Sequence, residues 1–217
     1  MINLKKQEKL NLVGDYLDKL FPNPRCELIY NKDYELLIAV VLSAQTTDKR
    51  VNSVTPILFS KYPNLEDLMN AELVDIMDII KPIGTFQRKA SYIKEISRRI
   101  VVECDKKVPN DRKYLENLPG VGRKTANVVL SNLFNVPAIA VDTHVQRVSK
   151  RLCLAKKNDN VLTIEKKLMN FFPQEQWSRR HHQIVLFGRY HCKAIKPMCN
   201  SCELKEICIK NDIYKVK

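Results

Sequence analysis

The chain has 217 residues, with 37 Lys and Arg against 24 Asp and Glu for a net charge of +13. That length can bury the core of one domain or of two small ones, and the charge points to a polyanionic partner, nucleic acid ahead of an anionic membrane. The longest strongly apolar run, Leu36 to Leu42, is seven residues, far short of the ~20 a membrane-spanning helix needs, and the charged N-terminus lacks the apolar stretch of a secretory signal.

Apolar spacing predicts helix nearly everywhere. Leu10, Val13, Leu17 and Leu20 make a stripe that Pro22 and Pro24 end. Asp33 is placed to cap a helix over 34–44, apolar on most faces and so central to a core. Stripes follow at Val51, Val54 and Leu58, at Leu73, Ile76, Met77 and Ile80, and at Ile93, Ile96 and Ile100. Tyr62-Pro63-Asn64 and Pro82-Ile83-Gly84 break them. The helical period returns at Ala126, Val129, Leu130 and Leu133 and again at Val145, Val148 and Leu152, with 137–141 as a buried connection. The fold class is all-α. No low-complexity linker separates domains, so any division is one between packed helices.

Of five glycines, Gly120 and Gly122 flank Val121 in the string Leu118-Pro119-Gly120-Val121-Gly122-Arg123-Lys124. Glycine tolerates positive φ and leaves backbone N–H groups uncovered, so two of them before a helix build a concave site for a phosphate. The spacing lacks a full Walker A pattern, which speaks against a nucleotide-binding loop. Arg123 and Lys124 add positive charge at a helix end that is itself positive. That setting disfavours the ammonium form of Lys124 and would free its amine as a nucleophile, whereas a nearby carboxylate would act in the opposite direction. Asp142, before Thr143-His144-Val145, is an N-cap candidate whose backbone donors would also keep it ionised.

Three of the seven cysteines, Cys26, Cys104 and Cys153, stand singly among apolar or helical positions, which fits small buried thiols in a reducing compartment rather than a disulfide framework. Cys192, Cys199, Cys202 and Cys208 follow a Cys-x6-Cys-x2-Cys-x5-Cys spacing. Four thiolates so arranged suit either a structural zinc or an iron-sulfur cluster. His181, His182 and His191 are neighbours, and none is assigned as a ligand.

The glycine hairpin, the Val141-Asp142-Thr143-His144 segment and the cysteine spacing together resemble the endonuclease III family of DNA glycosylases, nearly end to end. The resemblance implies two helical lobes with a DNA-binding cleft between them: a six-helix barrel with a helix-hairpin-helix motif over about 26–136, and a cluster lobe joining 1–25 with 137–217. It implies base excision repair of oxidised pyrimidines, a Schiff-base nucleophile at Lys124 with β-elimination 3′ to the abasic site, and charge stabilisation by Asp142. It tips the metal from zinc to a 4Fe-4S cluster on Cys192, Cys199, Cys202 and Cys208. It implies contacts to double-stranded DNA from Gln45, Thr85, Gly120, Val121, Gly122, Arg123 and His144. The enzyme would be a cytoplasmic, or in a prokaryote nucleoid-associated, monomer without a membrane partner. Gln45 in Leu42-Ser43-Ala44-Gln45-Thr46-Thr47-Asp48 takes the family's duplex-filling position. Thr85 stands where many relatives carry Leu, and Ile83 and Phe86 are alternatives to it as a wedge. An adenine-mismatch glycosylase usually lacks the lysine at position 124 and carries a further C-terminal domain. A non-catalytic DNA-binding module would leave the Lys124 and Asp142 pairing without a purpose.

Overall fold

The structure, a computed structural model, describes residues 4–209. Among these there are twelve α-helices and no strand: α1 (Lys6–Leu20), α2 (Asp33–Leu42), α3 (Asp48–Asn52), α4 (Thr55–Lys61), α5 (Leu65–Asn70), α6 (Leu73–Ile80), α7 (Phe86–Glu103), α8 (Arg112–Glu116), α9 (Arg123–Phe134), α10 (Thr143–Arg151), α11 (Val161–Phe171) and α12 (Trp177–Leu186). A π-helical turn, Phe187–His191, prolongs α12. None of the described helices is long and apolar enough to cross a membrane.

The chain divides into two compact units, one from Glu27 to Phe134 and one joining the residues up to Cys26 with those from Asn135 onward. The first is built around α2, whose residues from Tyr34 to Leu42 are all buried, as a helix apolar on every face must be. It packs against α7 and α9. The apolar stripe of α7, Ile93, Ile96 and Ile100, is fully buried, and α7 also packs on α5 and α6. In the second unit α1 lies against α12, and α10 packs on α11 and α12, over a core that includes Val13, Leu17, Val145, Val148, Leu168 and Phe187. Asp18 on α1 holds this unit together from the polar side, paired with Arg179 at 2.7 Å and Arg180 at 2.9 Å.

Three local expectations change. Asp33 opens α2 rather than capping it. Lys32 is the N-cap, and Glu35 reaches back to accept from the backbone N–H of Asn31 and Lys32, which leaves Asp33 to accept from Tyr34 and from Val108 beyond α7. The helix ends at Leu42 instead of Ala44. The Val51, Val54 and Leu58 stripe belongs to two helices, because Pro56 has no N–H to continue the ladder from α3 and sits instead in the first turn of α4. Helix α5 is too short, at six residues, to show a period. Of the connection expected to be buried over 137–141, Pro137 is exposed and residues 138–141 are each at most 4% exposed.

Candidate functional site

The hairpin between α8 and α9 is closed by its own backbone. Leu118 N–H donates to Leu115 O, and Val121 N–H donates to Leu118 O. The side chains of Leu115, Leu118 and Val121 plug into the core, and Arg112 bridges the two helices by donating to Asn127 Oδ1 at 2.6 Å. The two glycines do different work. Gly120 has φ +76, and a Cβ there would lie 2.6 Å from the Tyr92 ring and 3.2 Å from Val41, so both conformation and space demand glycine. Gly122 has no atom within 4 Å of the place a Cβ would take. Nothing within the protein requires its missing side chain, which leaves its backbone open to approach from outside. Its carbonyl accepts the first helical bond of α9, from Ala126, so the N–H groups that follow form a first turn without intrahelical acceptors.

Val121, expected among the DNA contacts, is 4% exposed and its N–H is already bonded. Its side chain anchors the hairpin. Arg123 and Lys124, the first two residues of α9, are exposed, and no acidic residue stands in that turn. Two cations at the positive end of a helix weaken it; they make sense against an external polyanion.

In the other unit Asp142 is the N-cap of α10. Its Oδ1 accepts from Val145 N–H at 2.8 Å and its Oδ2 lies 3.2 Å from Nδ1 of His144. Each oxygen has a partner, so the carboxylate is fixed in direction while its side chain keeps 16% exposure. His144 thus touches the carboxylate it follows in sequence.

Gln45 and Thr85 share an unusual backbone. Both are exposed and both are left-handed, at φ 56 and φ 58, a conformation costly for residues with a Cβ and frequent at functional sites. Ile83 is 1% exposed and belongs to the core, which removes it as a wedge. Phe86 is half-buried at the start of α7.

The four C-terminal cysteines line one cavity, walled on its apolar side by Leu152 and Phe187. Cys192 and Cys208 are buried, Cys199 and Cys202 partly so. Burial pushes the Cys202 thiol up to about 11, and Cys192, Cys208 and Cys199 push it the same way. Among the described residues no three His, Cys, Asp or Glu side chains are grouped as they would be around a single ion. Two arginines of α10 that the sequence did not single out reach this loop. Arg151, 8% exposed, donates to Cys192 Sγ at 3.2 Å, to Cys192 O and to Lys193 O; Arg147 donates to Cys192 O and to Gly188 O. Their signal was weak but present: cations at 147 and 151 are one helical turn apart, beside the apolar positions 145, 148 and 152.

A profile of the HhH-GPD superfamily of base excision DNA repair proteins matches residues 38–174. Endonuclease III of Bacillus subtilis (strain 168) is 50% identical over 209 residues, covering 96% of this chain and 94% of that one. A non-covalent endonuclease III–DNA complex superimposes with a TM-score of 0.94 at 47% identity, over 99% of this chain and 100% of that one. A trapped endonuclease III–DNA covalent intermediate, an estranged-adenine complex, gives 0.93 at 47% identity over 98% and 100%. The chain belongs to the HhH-GPD superfamily of base excision DNA repair proteins and, within it, with the endonuclease III enzymes.

Proposed function

We propose that this chain is a bifunctional DNA glycosylase and abasic-site lyase that removes oxidised pyrimidines from duplex DNA. The observation that carries the reading is the hairpin: a glycine forced by packing at 120, an uncovered backbone at 122, and an exposed lysine in the first turn beyond. The hairpin holds the phosphate backbone without reading sequence, and Gln45 and Thr85 reach the base stack. The neutral amine of Lys124 attacks C1′ of the damaged nucleotide. The C1′–N bond breaks, and the base leaves with the electron pair and takes up a proton. Positive charge that develops on the sugar is offset by the Asp142 carboxylate, whose direction is set by Val145 N–H and His144. Ring opening gives an imine between Lys124 and C1′. Loss of a C2′ proton then expels the 3′ phosphate, and water releases the enzyme. In the expected experiment, the protein excises an oxidised pyrimidine from a duplex, cleaves the strand 3′ to the site, and is trapped on abasic DNA by borohydride. Excision without trapping would leave a glycosylase with no lysine intermediate; neither would leave only a binding module.

Cys192, Cys199, Cys202 and Cys208 would hold a 4Fe-4S cluster. Two features of the loop support this. Four thiols line one cavity, and four cysteine ligands are the donor set such a cluster takes. The buried guanidinium of Arg151 against Cys192 Sγ suits a centre with negative charge. The cluster would hold the loop rigid and present Lys193, Lys196 and Lys205 to phosphates. Anaerobically purified protein is expected to be brown, with about four irons per chain. Cys202→Ser is expected to lower soluble yield and thermal stability, because ligation and folding are coupled. A colourless protein with one zinc would replace the cluster and leave the glycosylase reading intact.

A further inference from the structure

Lys89 is the most deeply buried lysine in the described structure, at 4% exposure. It stands on α7, one turn after Thr85, whose carbonyl accepts from its N–H at 3.1 Å. Its ammonium has three donors, and all three are used: Leu42 O at 2.8 Å, Ala44 O at 2.7 Å and Thr46 Oγ1 at 3.2 Å. None of these acceptors is a carboxylate. Leu42 is the last residue of α2, where carbonyls without helical partners concentrate negative charge, so the cation is held by a helix end and by the loop that leaves it. Burial lowers the Lys89 pKa, the direction expected for an amine that exchanges water for carbonyls.

The two loop acceptors lie on either side of Gln45. The Ala44 carbonyl and the Thr46 hydroxyl turn onto one ammonium, and the residue between them is exposed at φ 56. The same lysine is bonded through its own backbone to Thr85, which is also left-handed. Few residues could replace it. A shorter side chain would not span from α7 to the end of α2, and a neutral one would take the charged donor from all three acceptors, of which the Leu42 carbonyl is the most buried.

We propose that Lys89 is a positioning residue for base extraction: its buried ammonium holds Gln45 outward in the conformation that enters the duplex and ties that loop to Thr85. The proposal rests on the reading of Gln45 and Thr85 as the residues that enter the stack. It assigns Lys89 no contact with the substrate.

The test compares two substrates that differ in the need for insertion. One is a duplex with an oxidised pyrimidine opposite 2-aminopurine, whose fluorescence rises when the stack is opened; the other is a single-stranded abasic oligonucleotide, which offers Lys124 its target with no stack to fill. Lys89→Met is expected to lose at least tenfold in duplex excision and most of the fluorescence rise, while borohydride trapping on the single strand stays within twofold. Gln45→Ala should show the same split, and the double variant should be no worse than the weaker single one, since both act through one loop. A parallel fall on both substrates would reduce Lys89 to a core residue and overturn the proposal, as would unchanged duplex excision. Should Lys89→Met not fold, Thr46→Val removes one acceptor and keeps the cation; it is expected to lower the duplex-to-single-strand ratio at least threefold, and an unchanged ratio overturns the proposal. Failure of wild type both to excise from the duplex and to be trapped on the single strand would instead sink the glycosylase reading itself.

Discussion

Lys124→Gln is expected to abolish both strand cleavage and borohydride trapping while duplex affinity falls by no more than the loss of one cation. Lys124 is exposed in the first turn of α9, so the substitution disturbs no packing, and glutamine is a good helix former. The amide nitrogen cannot form an imine, so the covalent pathway ends rather than slows. Binding should persist because Arg123, the open backbone at Gly122 and the remaining cations would still be there to face the phosphates; neutralising one contact flattens the dependence of log affinity on log salt by about one unit of slope. Gel-resolved trapping on an abasic duplex, with affinity measured across a salt series, checks both halves. Undiminished trapping in the variant would move the nucleophile to another amine.

How far the sequence disclosed this site depended on the range over which each residue acts. The helical stripes of α1, α6 and α7 were legible because burial on one face leaves its period in the chain, and the capping role of Asp142 was legible because a cap is a matter of three residues. The need for glycine at 120 and the openness at 122 look identical in sequence. They differ only when Tyr92 and Val41, from other helices, are placed beside the first and nothing beside the second. Lys89 was one of 37 basic residues, in a helix whose charged positions suggest a solvated face. Its role exists only because α7 crosses the end of α2, and no local pattern records that crossing. Arg151 is a similar case. Its partners are Cys192, Lys193 and Ala194 of the cysteine loop, 41 to 43 residues away in sequence. Sequence pattern thus gave the elements and the donor types, while the polar contacts that aim them came from tertiary neighbours.

Asp142→Asn is expected to slow base excision by about 10²- to 10³-fold, the loss typical of removing one electrostatic stabiliser of a transition state, with little change in stability. Asparagine caps a helix as well as aspartate: its oxygen can still accept from Val145 N–H as Oδ1 does now at 2.8 Å. What disappears is the negative charge, and with it the means of offsetting positive charge on the sugar as the base departs. The step that follows base departure should suffer less, because a pre-formed abasic site has no glycosidic bond left to break. Single-turnover excision and trapping on abasic DNA, measured side by side, should therefore diverge in the variant. Asp142→Ala provides the contrast, since it removes charge and cap together and should add a loss of about 1 kcal/mol in denaturant unfolding. Near-normal excision by Asp142→Asn, with only the alanine variant impaired, would mean that the carboxylate serves α10 and not the reaction.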